Sequence, residues 1–128
     1  MIRLGVYYRQ IIEGREDLEE IELPFTEQPV ELEPTLFSWK AKSGKRVIEC
    51  RSEEMARYIK VFWEAMALRI EVPADDEYIR EILPRLEKIK QKHDQIIYDH
   101  IEWLSTARAK KEYLQLTWSK LLYEEAAT

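Results

Sequence analysis

The tetrapeptide Lys42-Ser43-Gly44-Lys45 separates two stretches, 35–41 and 46–51, in which apolar and polar residues alternate. A period of two puts successive side chains on opposite faces of a strand, and a short Gly-containing connection joins two such strands as a hairpin. Placing Ala41 opposite Arg46 sets Trp39 against Ile48 and Phe37 against Cys50. All four are apolar and share one face, so turn and pattern agree on the register. Phe37, Trp39, Ile48 and Cys50 are therefore expected inside.

The residues before the hairpin also read as strand. Ile2, Leu4, Val6 and Tyr8 alternate with Arg3, Gly5, Tyr7 and Arg9, which predicts a first strand with one buried face. Gly14-Arg15-Glu16-Asp17 reads as a turn. Ile21, Leu23 and Phe25 alternate with Glu20, Glu22 and Pro24, and Pro24, lacking an amide donor, suits a sheet edge. Residues 26–34, rich in Pro and Glu, read as a connection.

Helical spacing takes over at Ser52, an N-cap residue followed by Glu53 and Glu54 at the positive end of the helix dipole. Met55, Ile59, Phe62, Met66 and Ile70 mark one helix, which Val72-Pro73 ends. Asp75 or Asp76 caps the next, with Tyr78, Ile79, Ile82 and Leu83 as its apolar positions, and Pro84 is expected to kink it or start a new one. From Leu86 an apolar stripe runs through Ile89, His93, Ile96, Ile97, His100, Ile101 and Leu104, then through Leu114, Trp118, Leu121 and Leu122. A single helix over 85–124 would be about 60 Å long at 1.5 Å per residue, longer than a domain of this size. A break at Ser105-Thr106 is expected to fold it into a helical hairpin; an unbroken helix would need a partner chain. The expectation is one α+β domain over 1–128. A small N-terminal antiparallel sheet of about four strands (1–51, hairpin at 35–51) precedes three to four C-terminal helices (52–128).

Composition supports a folded chain, since 128 residues with 45% hydrophobic and 11% aromatic content can fill a core. Cys50 has no cysteine to pair with, Met1–Val6 lacks a long apolar stretch, and no apolar run approaches the roughly 20 residues that span a bilayer. A cytoplasmic protein with no membrane contact is expected. There is no asparagine, and the acids are mostly Glu, the lean of thermophile proteins. The net charge of −5 is unevenly spread: residues 1–36 carry three Arg against nine acids, and residues 37–71 carry eight bases against five acids. A second positive block, 85–111, has seven bases against four acids.

Catalytic signatures are missing. The glycines stand at 5, 14 and 44, which excludes the dinucleotide fingerprint and the phosphate loop, and there is no Gly-x-Ser-x-Gly. His93 and His100, seven residues apart, have apolar neighbours at the offsets where a helix would supply further metal ligands, so they read as core or interface histidines. Cys50 reads as packing. Asp75-Asp76-Glu77 resembles a helix start, and Glu19-Glu20 and Glu124-Glu125 read as solvated ends. No cofactor, metal or catalytic residue is expected, no family resemblance is carried by these motifs, and the balance leans away from an enzyme.

The leading expectation is a protein–protein interaction or assembly protein using its helical C-terminal half, on a protein partner or a second copy. Trp103, Tyr113, Trp118 and Tyr123 are the expected contacts, because Trp and Tyr are enriched at interfaces. The alternative is a nucleic-acid-binding module. It would use Lys40, Lys42, Lys45 and Arg46 at the hairpin tip with Arg108, Lys110 and Lys111, although the protein as a whole is acidic. A small enzyme with an unrecognised site ranks third.

Overall fold

A computed structural model describes residues 3–26 and 28–101. Its elements run α1 (Leu4–Ile12), β1 (Leu18–Glu22), β2 (Glu31–Pro34), β3 (Trp39–Ser43), β4 (Arg46–Cys50), α2 (Glu53–Glu64), β5 (Arg69–Pro73) and α3 (Asp76–Ile101). The class is α+β. In place of one sheet of about four strands there are two antiparallel sheets, β1–β5 and β2–β3–β4. Residues 102–128, with the expected break at Ser105 and the helical hairpin, lie outside the described residues.

The expected first strand is a helix. Leu4, Tyr7, Tyr8 and Ile11 are all buried, at spacings i, i+3, i+4 and i+7. That is a helical stripe, and it shares Leu4 and Tyr8 with the alternating pattern that suggested a strand. Tyr7, assigned by alternation to the outside, packs inside. The chain then turns at Gly14, whose φ of +72° a side chain would strain.

The hairpin forms, with a different register. Ser43 pairs with Arg46, Ala41 with Ile48 and Trp39 with Cys50, around the two-residue turn Gly44-Lys45. Gly44 adopts φ +60°, the conformation that lets so short a turn follow the strand twist. Ser43 is held in the strand because its hydroxyl, buried, reaches Thr26 Oγ1 and Gln28 O at 2.8 Å each. The slip is of two residues, so Trp39, Ala41, Ile48 and Cys50 still face inward, but Phe37 is released from the pairing. Part of the expected 26–34 connection becomes β2, which pairs with β3.

Ser52 caps α2 as expected, its hydroxyl accepting the Met55 amide at 3.2 Å. The helix ends at Glu64, earlier than its apolar spacing implied. Met66 takes φ +68°, the chain reverses, and Ile70 lands on β5 opposite Ile21 of β1. Ile70 and Val72 are buried and alternate with exposed Arg69 and half-buried Glu71, a strand pattern that the longer helical spacing overlaps. Asp75 caps α3, accepting the Glu77 and Tyr78 amides at 3.0 and 3.2 Å. Pro84 lies inside α3 and does not divide it. The helix forgoes one donor there while Ile79, Leu83 and Leu86 stay buried on either side.

The core gathers around α2. Met55, Ala56, Tyr58, Ile59, Phe62 and Trp63 are buried, with Ile79, Leu83 and Leu86 of α3 in the same cluster. Tyr8 meets Phe62 edge-on at 5.1 Å between ring centroids. Three ring polar atoms leave the core to fasten neighbours: Trp63 Nε1 donates to Pro24 O (2.7 Å), Tyr58 OH donates to Glu71 O (2.9 Å), and Tyr8 OH accepts from Glu71 N (2.8 Å).

These last two bonds finish β5. Leu23 N donates to Leu68 O and Ala74 N to Asp17 O, so odd-numbered residues of β1 exchange the ladder bonds with even-numbered residues of β5. Glu71 therefore points its amide and carbonyl away from β1, where Tyr8 and Tyr58 meet them. Pro73 brings no amide, and its carbonyl accepts from Arg51 at 2.7 Å. Tyr8→Phe leaves the Glu71 amide without its acceptor and should cost roughly 1–3 kcal/mol. Urea denaturation is the measurement, with Tyr7→Phe as the control for loss of a hydroxyl elsewhere on α1.

Candidate functional site

β2 and β3 are joined by Thr35–Ser38. Pro34 cannot donate an amide and Trp39 begins the return strand opposite it, so the reversal must be made by these four residues. Thr35 N donates to Ser38 O at 2.8 Å, Ser38 N donates to Thr35 Oγ1 at 3.0 Å, and the two hydroxyls lie 2.8 Å apart. The short hydroxyl side chains thus spend themselves closing the turn. Leu36 and Phe37 are left at its tip, 86% and 91% exposed. Scattered surface apolar groups need no explanation, but two adjacent large ones on a hydrogen-bonded turn form a displayed pair. Trp39 is half-buried at the base, packed against the core.

The outward face of the same sheet carries the expected basic cluster. Lys40 stands opposite both Glu33 and Glu49, and Lys42 opposite Glu31 and Val47. Lys42 Nζ lies 2.6 Å from Glu33 Oε2, and that hydrogen bond holds the Glu33 carboxyl below its ordinary range. Three glutamates against two lysines leave this face slightly acidic. Lys45 and Arg46 are exposed at the Gly44-Lys45 turn. Arg108, Lys110 and Lys111 lie outside the described residues, as do Trp103, Tyr113, Trp118 and Tyr123. Among the described positions the structure therefore brings together Lys40, Lys42, Lys45 and Arg46, with acids between the first two.

A cleft of about 400 Å³ opens between Thr26, Gln28 and Pro29 ahead of β2, the end of α2 and the middle of α3. Lys90, only 7% exposed, is its charged centre. Its ammonium pairs with Asp94 one turn along α3 and lies 3.9 Å from Glu64 Oε1. Glu64 Oε2 accepts the Val30 amide at 3.3 Å. A buried ammonium between two carboxylates is a paired charge, and it straps the Val30 segment to the two helices. Nothing in the sequence pattern singled it out except Lys90 falling between Ile89 and His93 on the apolar stripe, with Asp94 at i+4.

His93 is buried at 9% exposure, as expected of a core histidine. Burial pulls its pKa below the ordinary 6.5 and nearby Lys90 adds to this, while Asp94 opposes it. Cys50 is buried, its thiol pushed up to about 11 by burial, so it is not poised as a nucleophile. The His100 side chain lies outside the described residues. Among the described residues no group of three or more His, Cys, Asp or Glu could hold a metal ion, and no helix is long and apolar enough to cross a membrane.

Comparison with known proteins finds no matching family model, no matching curated protein and no matching solved structure.

The depressed pKa of His93 has a consequence for stability. The unfolded chain takes up this proton more readily than the folded one, so the contribution of neutral His93 is fully present above about pH 6.5 and is lost as pH falls through the lower folded value. Thermal midpoints should fall between pH 7.5 and 5 more in the parent than in His93→Gln. Parallel curves for the two would contradict the assignment.

Proposed function

We propose that this chain is a non-catalytic interaction or assembly protein that docks on a protein partner. The observation that carries the reading is the Leu36–Phe37 pair, exposed on a turn closed by its own hydrogen bonds. Burying one large apolar side chain stabilises a complex by roughly 1.5–3 kcal/mol, and a turn already shaped loses little freedom on docking. Trp103, Tyr113, Trp118 and Tyr123, which lie outside the described residues, remain part of the proposal as a further contact region. A second copy of the chain is the self-association form of it. The acids interleaved with Lys40 and Lys42 favour this reading over nucleic-acid binding, which depends on concentrated positive charge.

Replacing Leu36 and Phe37 together by Ser tests the proposal. Neither side chain is buried, so stability should stay within about 0.5 kcal/mol of the parent per site. Immobilised parent protein should retain a partner from host lysate, or show a dimer by light scattering, and the double variant should lose it. Equal retention by both proteins would remove the turn from the interface. A parent that stays monomeric and captures nothing would defeat the interaction reading itself.

A further inference from the structure

We infer that the outer edge of β1 takes up an extended, basic segment of a partner protein as an added antiparallel strand. Among the described residues β1 is paired on one side only, with β5. Because Asp17, Ile21 and Leu23 direct their backbone groups to β5, the amides and carbonyls of Leu18, Glu20 and Glu22 face outward. The opposite edge of this sheet is closed by Tyr8, Tyr58 and Arg51 on Glu71 and Pro73. Among the described residues, one edge of the sheet is thus capped by dedicated side chains, while the other presents an uncapped row. An incoming strand gains main-chain hydrogen bonds from such a row and specificity from alternate side chains.

Charge decides what that strand is. Glu16, Glu19, Glu20 and Glu22 are all exposed along this stretch, and Glu71 lies opposite Glu20 on the same face. Arg69 answers part of this charge, 2.9 Å from Glu20 and 3.7 Å from Glu22, leaving the edge acidic. Two copies of β1 side by side would set glutamate against glutamate, so the acids disfavour self-pairing. The same acids select Lys or Arg at alternate positions of a foreign strand, opposite Glu20 and Glu22. At Glu22 a cleft of about 480 Å³ is lined by Leu23, Pro24 and the half-exposed Leu68 together with Glu22 and Arg69. In the antiparallel direction it receives an apolar side chain on the N-terminal side of the two basic residues. This surface is separate from the Leu36–Phe37 turn and does not depend on it.

The test uses the full chain and a labelled synthetic peptide, Leu-Thr-Lys-Val-Lys-Thr-Lys, read by fluorescence anisotropy at low salt. Saturable binding is expected, weakening at least tenfold with Glu20→Lys plus Glu22→Lys and severalfold with Glu20→Gln plus Glu22→Gln. A peptide of the same charge with Pro in place of Thr and Val, unable to complete the ladder, should bind at least tenfold more weakly. The Leu36→Ser, Phe37→Ser protein should bind as the parent does, which separates this edge from the turn. Absence of binding to the parent overturns the inference. So does equal binding of the Pro peptide, which would mean charge attraction without strand addition, or undiminished binding by both glutamate variants.

Discussion

Two tyrosine hydroxyls on the backbone of one residue, Glu71, tie α1, α2 and β5 together. Tyr8 from α1 and Tyr58 from α2 meet the amide and carbonyl of Glu71, so α1, α2 and β5 cannot move independently without leaving a polar backbone group unpaired. Burial raises the pKa of both hydroxyls, well above the ordinary value for Tyr58, so both stay neutral. Trp63, one turn beyond Ile59, performs the matching task at Pro24, and Glu64 reaches the Val30 amide. α2 thus sits at the centre as apolar filling and also as the source of hydrogen bonds that place both sheets. Among the described residues, the β1 edge and the Leu36–Phe37 turn lie outside this web of bonds.

The parts of this arrangement legible in the sequence are those where one signal acts alone. Ser52 with Glu53 and Glu54 has only one use, and it caps α2. At α3 the choice between Asp75 and Asp76 falls to Asp75, whose carboxylate accepts the Glu77 and Tyr78 amides. Where two periods overlap, the pattern admits two structures. Leu4 and Tyr8 satisfy both a strand and a helix, and the deciding residue, Tyr7, is an amphipathic side chain that either face accepts. Ile70 continues the α2 spacing by coincidence, since the chain reverses at Met66 in a backbone conformation that no unbranched side chain advertises.

The surfaces were less legible than the core. Alternation places Phe37 inside, and because a hairpin register slipped by two residues keeps the same faces, the pattern alone does not tell the two registers apart. The difference lies in Ser43, tied to Thr26 and Gln28 from a segment far along the chain. The basic cluster was visible, but the glutamates standing between its lysines come from β2 and the far side of the turn. Charge in sequence and charge in space diverge there. Lys90 escaped for the opposite reason, since its partners Glu64 and Asp94 lie on two helices whose packing had to be seen.

The asymmetry of the β1–β5 sheet links the fold to the β1 edge, and residue-resolved amide hydrogen exchange by NMR measures it directly. The Glu71 amide should be strongly protected although no strand lies beyond it, together with Ile21 and Leu23, while Glu20 and Glu22 exchange rapidly. Rapid exchange at Glu71, or protection at Glu20 equal to that at Ile21, would contradict the account.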